Sequence, residues 1–587
     1  MKERLLALLR QARSSPLAWI LCATFLVHIV GIFWGMPASD AWEDDGIAPR
    51  DFLVGTYETY LPGHFFTYPP VHLLALSLLT SPAWGVALAR APSFAPHDVI
   101  GTMIQVPTMT ILTVVARFVS ELMALGIIYL LAKLAEEIWG KRASLLVALV
   151  IAVNAPLTYY AHTSNLDVPY LFWSCFALLE TVRAIVRHDP RRFRRVMLLG
   201  ALAVGTKDQA YAIFLLGFPA TIVAWFALDR VARERKGAIA RQLAIGLAIA
   251  GVLFLLVSGA ITNPSGFKAR IHFLLGPASQ NHAYYAATWA GRLEIVKGIA
   301  LGFDRFYPWP FAAAALAGLG IHVARARGRG DEREKLVAGL VPLFGAVSFV
   351  VCFNMTARRT EHRFAMPEML LLAVYAGVAF DWLLERWQST WRRRAALGVV
   401  GGLLAWALFV CVDVDVMLLF DPRYDTEAWL RDHVQSGDLI EIYGANAYLP
   451  RLPDNARITR VDLTPLSTRN PLPNVVEVQT EFADVEARKP RFIIVTNAWA
   501  WRYFMNDAPA GQVIAPQQAE RQHDVASRAY FHGLGAGTIG YHLAHVSMFE
   551  SRVWPRYPIH SSTAEDIRIF ERDAHDTRDS SGEGKGR

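Results

Sequence analysis

The sequence predicts a polytopic α-helical membrane protein with about eleven transmembrane helices, a large first extracytoplasmic loop carrying interfacial helices, and a small C-terminal periplasmic α/β domain. Composition is the first sign: 53% of the 587 residues are hydrophobic and only 19% charged, a balance that soluble globular chains do not usually carry. Second, apolar stretches long enough to cross a hydrocarbon core, about 20 helical residues each, recur along residues 16–420. Third, those stretches end where FDPRYD breaks the last run at Asp421. The expected division is therefore a membrane domain over 1–420, an outer domain over 421–572 and a polar tail over 573–587 whose composition predicts disorder.

Charge sets the expected topology. Basic clusters at Lys2 to Arg13, Lys133 to Arg142, Arg183 to Arg195, Arg230 to Arg241, Arg325 to Lys335 and Arg386 to Arg394 lie between the apolar runs, where the positive-inside rule puts them in the cytoplasm. That rule also accounts for the basic pI, and no nucleic-acid signal is present. Each interval between clusters must then cross an even number of times. Of the three apolar candidates at 16–37, 69–89 and 107–131, only two can span. The middle one contains Pro82 and His72 and is expected to lie in or dip into the outer interface, which makes residues 38–106 one large outer loop.

Further along, spans are expected near 143–160 and 170–187, joined outside by YAHTSNLDVPY. Between Arg195 and Arg230 the chain must rise and return around GTKDQ, and its short first arm leaves Lys207 and Asp208 against a polar cavity below the outer surface. Spans near 241–261, 307–324, 337–355, 365–384 and 395–416 bring the total to an odd number, so the C-terminal domain is expected outside and the N-terminus inside. The basic MKERLLALLRQAR precedes a run with no small-residue cleavage site and reads as a retained anchor. Cys22, Cys175, Cys352 and Cys411 all fall in apolar segments and predict no disulfide framework.

Candidate functional residues gather on the outer side. SDAWEDDGIAP sets Asp40, Glu43, Asp44 and Asp45 around a tryptophan directly after the first span. Adjacent carboxylates near a low-dielectric boundary repel, which raises one pKa and suits a general base; sharing a divalent cation is the other reading, and a solvated acidic turn the plain one. Asp167, in HTSNLDVPY with His162 and Asn165, opens another span. ARRTEHRFAMP carries Arg358, Arg359, His362 and Arg363 on the side that parity makes external; this is either a statistical exception to the charge rule or a demand for cations by an anion such as a lipid phosphate. Arg117 pairs with Glu121 on one helical face or contacts the same anion. His64, His72 and His162 could join the acids at a metal, although no ligand spacing supports it. NHAYYAATW and DRFYPWPF read as an interfacial aromatic belt sooner than as a sugar platform.

WEDDGIAP, then FTYPPVHLLALSLL, then ARFVSELMALGIIYLLAKLAEEIWGKRASLLVALVIAVNAPLTYYAHTSNLDVPYLFW resembles the C-type superfamily of integral-membrane glycosyltransferases, in the branch of protein O-mannosyltransferases and lipid A aminoarabinose transferases. The resemblance covers most of residues 16–420 and is strongest over 107–187; RTEHRFAMP is also similar to the HKExRFxxP pattern of eukaryotic mannosyltransferases. It implies transfer of a sugar from a polyprenyl-phosphate donor to an envelope acceptor at the outer face, with inversion. An acid of the first outer loop would be the base, and Asp44 takes that position while Asp45 replaces the usual Glu. Asp167 would support the base or touch sugar or acceptor, and Lys207, Arg358, Arg359, His362 and Arg363 would hold the lipid phosphate. The expected setting is a bacterial inner membrane, with membrane lipids as neighbours and no certain cofactor beyond a metal that some family members use. The rivals are a transporter or flippase of a lipid-linked intermediate, against which no internal repeat is found, and an inactive scaffold.

In the C-terminal domain, DLIEIYG and RFIIVTN are strand-like, and RYDTEAWLRDHV before the first is helical, which suggests a small α/β fold without fixing its topology.

Overall fold

The computed structural model describes residues 15–43, 46–47, 51–328, 333–387, 389–504, 513, 524–549 and 566–573. Asp44 and Asp45, the basic N-terminal stretch and almost all of the polar tail lie outside them. The chain divides into two compact units, the first Met1–Leu419 and the second beginning at Phe420, with short later segments assigned to each.

The first unit is helical. Among the described residues, seven helices are long and apolar enough to cross a membrane, or nine if each of two bent pairs is one span. The chain is a multi-pass membrane protein. Eleven crossings would require the shorter apolar helices Pro16–His28 and Pro310–Arg325 to cross as well. The bent pairs have local causes. Val71–Leu79 and Ser81–Arg90 meet at 67° where Pro82 begins the second helix, since proline cannot continue a helical hydrogen-bond ladder. Lys141–Ala152 and Ala155–Ala161 meet at the same angle, where the Asn154 side chain accepts from Leu157 N at 2.8 Å and Pro156 follows.

The apolar run at 16–37 does not stay helical. Its helix ends at His28, and tight turns carry the chain through Gly31 and Gly35. Gly35 sits at φ +71° with a Cβ position 2.7 Å from Trp42 Cε3, so only glycine fits there. The large loop that follows carries Asp51–Tyr60 and Pro96–Met103 besides the first bent pair. Asn263, fully buried, fastens that loop by donating to the Glu58 and His64 carbonyls and accepting from Gly63 N.

The second unit is built on a six-stranded sheet of order β3-β2-β1-β4-β6-β5, with β1 Leu439–Ile442, β2 Arg457–Asp462, β3 Val475–Gln479, β4 Phe492–Thr496, β5 Tyr541–Ser547 and β6 Ile567–Arg572. β1 to β4 pair in parallel, while β6 is antiparallel to both neighbours. Both expected strands, β1 and β4, lie side by side at the centre and are almost wholly buried, as continuous apolar runs should be. The expected helix is Pro422–His433, capped by Asp421 accepting from Arg423 N. Leu430, Ile442, Ile494 and Ile569 fill one core of the unit, and Tyr443, Phe482, Trp499 and Phe531 another.

Candidate active site

Glu43 is completely buried, and its Oε2 accepts from Arg117 Nη2 at 2.6 Å. Its Oε1 accepts from Ser164 N at 2.9 Å, so the first acid-bearing loop is fastened to the second. Ser164 Oγ completes the join by donating to the Ile47 carbonyl at 2.7 Å. Burial by itself would push the Glu43 carboxyl up, but the Arg117 guanidinium and the Ser164 N–H hold it below the usual carboxylate range. Arg117 also donates to the Ile32 and Trp34 carbonyls at 3.0 and 2.6 Å, and its guanidinium lies 5.5 Å from the Trp34 ring. Both carbonyls lie in the turns that follow the first helix. The expected pairing of Arg117 with Glu121 is thus corrected. Glu121 meets His28 instead, because the first loop folds back over the helix and offers Arg117 a second carboxylate.

Asp167 opens the helix Asp167–Val186 and is also fully buried. The turn is shaped by Asn165, whose Oδ1 accepts from Asp167 N at 2.8 Å. The Asp167 Oδ1 accepts from Lys207 Nζ at 2.7 Å and from Gln209 Nε2 at 3.0 Å, whereas its Oδ2 has no hydrogen-bond partner among the described residues. Lys207 stands where the chain breaks between the helix Arg192–Val204 and the short turn Asp208–Ala210, as the GTKDQ reading expected. Asp208, beside it, is held by Arg270, a buried cation on Pro264–Leu275 whose guanidinium lies 5.2 Å from the Phe66 ring.

The cationic side converges on Phe364. Arg359 lies 4.5 Å from the ring, Arg363 4.6 Å and Lys207 5.8 Å, distances at which a ring face attracts cations. Through Lys207 the ring therefore links Asp167 to the RTEHRF segment. Arg359 is paired with Glu361, Nε to Oε1 at 2.8 Å. Arg358 is turned elsewhere: at φ +57° it donates to the Tyr285 carbonyl at 2.9 Å and to Gln280 Oε1 at 2.6 Å. His362 stands 6.4 Å from Phe306, ring to ring.

Of the remaining expected residues, Asp40 is buried and accepts from Ala41 N at 2.8 Å. His162 meets the Thr158 carbonyl and Asp415. Among the described residues no three His, Cys, Asp or Glu side chains are grouped to hold a metal ion, so the His64, His72 and His162 suggestion finds no geometry there. Arg270, Gln209 and Phe364 were not expected. Arg270 alone had a signal, a cation inside NPSGFKARIHF between apolar runs; the other two are defined by contacts across the fold.

A family model described as dolichyl-phosphate-mannose-protein mannosyltransferase matches residues 108–262, the segment that holds Arg117, Asp167 and Lys207. The match falls on the part of the chain where the resemblance read from the sequence, to membrane glycosyltransferases of the protein O-mannosyltransferase type, is strongest. Among solved structures, the chain is similar to ArnT from Cupriavidus metallidurans bound to undecaprenyl phosphate, at 15% identity over 94% of this chain and 97% of that one, with a TM-score of 0.46. It is also similar to the apo state of the same protein, at 16% identity over 81% and 92% with a TM-score of 0.46. The apo form of the Archaeoglobus fulgidus oligosaccharyltransferase follows at 11% identity over 94% and 88%, with a TM-score of 0.41. No curated protein matches the chain in sequence.

Proposed function

We propose that this membrane glycosyltransferase moves a sugar from a polyprenyl-phosphate donor to an envelope acceptor, a glycolipid, polysaccharide or protein, at the outer face of a bacterial inner membrane. The observation that carries the reading is the convergence on Phe364: Lys207, Arg359 and Arg363 share one ring while Lys207 also holds Asp167. Such a pair of walls suits the breaking of a glycosyl–phosphate bond. As the bond from the sugar's anomeric carbon to the phosphate oxygen lengthens, positive charge grows on the sugar and negative charge on the lipid phosphate. The acceptor hydroxyl oxygen attacks from the opposite face, its proton passes to a carboxylate, and the configuration inverts.

Glu43 is poorly suited to be that carboxylate. Both of its oxygens are engaged and its proton affinity is lowered, so the base falls to the adjacent Asp44 or Asp45, with Glu43 anchoring the loop that bears them. Asp167, whose second oxygen lacks a partner among the described residues, supports the base or orients the sugar or acceptor. Lys207, Arg359 and Arg363 are the phosphate ligands, and the phosphate replaces Glu361 as the counter-ion of Arg359. Arg358 and His362 serve the shape of the segment.

The test is transfer from a radiolabelled polyprenyl-phosphate sugar by the purified protein. Replacing both Asp44 and Asp45 by Asn should cost about a hundredfold or more in kcat, with membrane insertion and thermal stability unchanged. Lys207→Met should chiefly weaken donor binding. Undiminished transfer in the Asp44→Asn, Asp45→Asn double variant would remove the base assignment. A deletion strain whose envelope glycans and glycolipids have lost no sugar by mass spectrometry would favour the flippase or scaffold reading.

A further inference from the structure

One helical turn beyond Arg117, four buried titratable side chains meet that the proposed chemistry leaves unused. Glu121 Oε2 lies 2.9 Å from His28 Nδ1. His28 Nε2 is 3.2 Å from Thr158 Oγ1, and the Thr158 carbonyl accepts from His162 Nδ1 at 2.7 Å. His162 Nε2 in turn faces Asp415 Oδ1 at 3.5 Å, with the two imidazoles 6.3 Å apart. All four side chains are buried. They come from Pro16–His28, Val106–Trp139, the end of Ala155–Ala161 and Thr390–Leu419.

The histidines hold matching places. His28 ends the helix before the loop of Asp40 and Glu43; His162 caps the helix before Asn165 and Asp167. Each is the root of one acid-bearing loop, and Glu121 lies on the helix that also supplies Arg117 to the first.

Counting hydrogens at the second pair shows what it requires. The Nδ1 of His162 gives its hydrogen to the Thr158 carbonyl, so a neutral ring offers only a lone pair at Nε2. Across from it, an ionised Asp415 offers only lone pairs too, and neither atom has a hydrogen-bond donor beside it among the described residues. Two acceptors facing each other in an apolar interior are unfavourable unless one proton lies between them. The groups facing this pair are His28, Glu121 and Arg117 from the neighbouring helices, Cys411 on the helix of Asp415, and Tyr307 beside Asn154 and Cys411.

We propose that the His28–Glu121 and His162–Asp415 pairs are a positioning junction, which roots the two acid-bearing loops on one another and holds them in register only while a proton is shared between His162 and Asp415. Its effect on catalysis rests on the transfer reading above; its effect on the loops does not.

The experiment uses the full-length protein in nanodiscs and compares Asp415→Ala with Asp415→Asn, whose amide donates to His162 Nε2 without titrating. Amide hydrogen exchange, scaled to residues 236–257, should quicken about fivefold or more in Asp415→Ala at both 29–43 and 162–167. Wild-type exchange at both segments should rise as pH is raised and the shared proton is lost, and Asp415→Asn, whose amide does not titrate, should abolish that rise. With a polyprenyl-phosphate sugar donor, Asp415→Ala should lower kcat about ten- to a hundredfold with KM within about twofold. Asp415→Asn should stay near wild type at neutral pH and lack its alkaline decline. Exchange quickened in one loop only, or Asp415→Asn rising with pH as wild type does, overturns the junction, and the latter result decides even where Asp415→Ala does not fold. Exchange as expected from a protein that transfers no sugar upholds the junction and overturns the transfer reading alone.

Discussion

Glu43 and Arg117 are each without solvent exposure at their charged side chains, so removing either leaves the other's charge stranded in a low dielectric. Arg117→Met or Glu43→Gln should therefore destabilise the protein by about 3–5 kcal/mol, and the double variant by less than the sum, as thermal unfolding in detergent would show. The pH dependence has a definite sign. The Glu43 carboxyl is lowered in the folded state, so its contribution is complete above the ordinary carboxylate pKa and is lost as pH falls through the lowered value. Wild type should lose melting temperature on acidification more steeply than Glu43→Gln; equal slopes would show that Glu43 is not held as a carboxylate. The sequence left Arg117 either to Glu121 on its own helical face or to the lipid anion, and could not show the partner it takes. Helical spacing makes Glu121 its neighbour, whereas the partner it takes is 74 residues away, and no local periodicity encodes a contact of that separation.

At the scale of elements, glycines decide how closely helices approach. A Cβ on Gly377 would lie 2.6 Å from Val147 Cγ2 and 2.7 Å from Val147 N, and one on Gly318 would overlap the Tyr375 carbonyl. Gly377→Leu should force the helices His362–Arg386 and Lys141–Ala152 apart and destabilise by about 1–3 kcal/mol or more. Because His362–Arg386 also carries Arg363 and Phe364, donor binding should weaken with it; an unchanged melting temperature and KM would show that the contact yields freely. The apolar runs that become Val106–Trp139, Asp167–Val186 and Lys236–Val257 were legible from hydropathy. The early end of Pro16–His28 was not, since the run stays apolar past His28 and nothing in its local pattern marks the stop.

For the whole molecule, the basic clusters predict that Arg191 and Arg230 face the cytoplasm and the second unit faces outward. In a Cys22→Ser background, a membrane-impermeant thiol reagent added outside should label Gln435→Cys and spare Arg191→Cys until the membrane is opened. The reverse pattern would invert the topology and put the proposed site on the wrong face for an externally presented donor. The second unit was legible only at its centre. β1 and β4 are buried on both faces and read as apolar runs, while β2, β3 and β5, with mixed burial, lack a contrast that sequence alone can resolve.

By itself the sequence determined that this chain is a helical membrane protein with a C-terminal unit of a different kind, and it marked Asp167, Lys207, Arg359 and Arg363 as residues with a purpose. Those conclusions follow from hydropathy and charge, which are local and additive. Only the tertiary structure decided that Arg117 locks Glu43, that Phe364 is where three cations meet, and that two histidines root the acid loops. Each of these depends on segments far apart in the chain being packed together, and burial then fixes which charges share a partner.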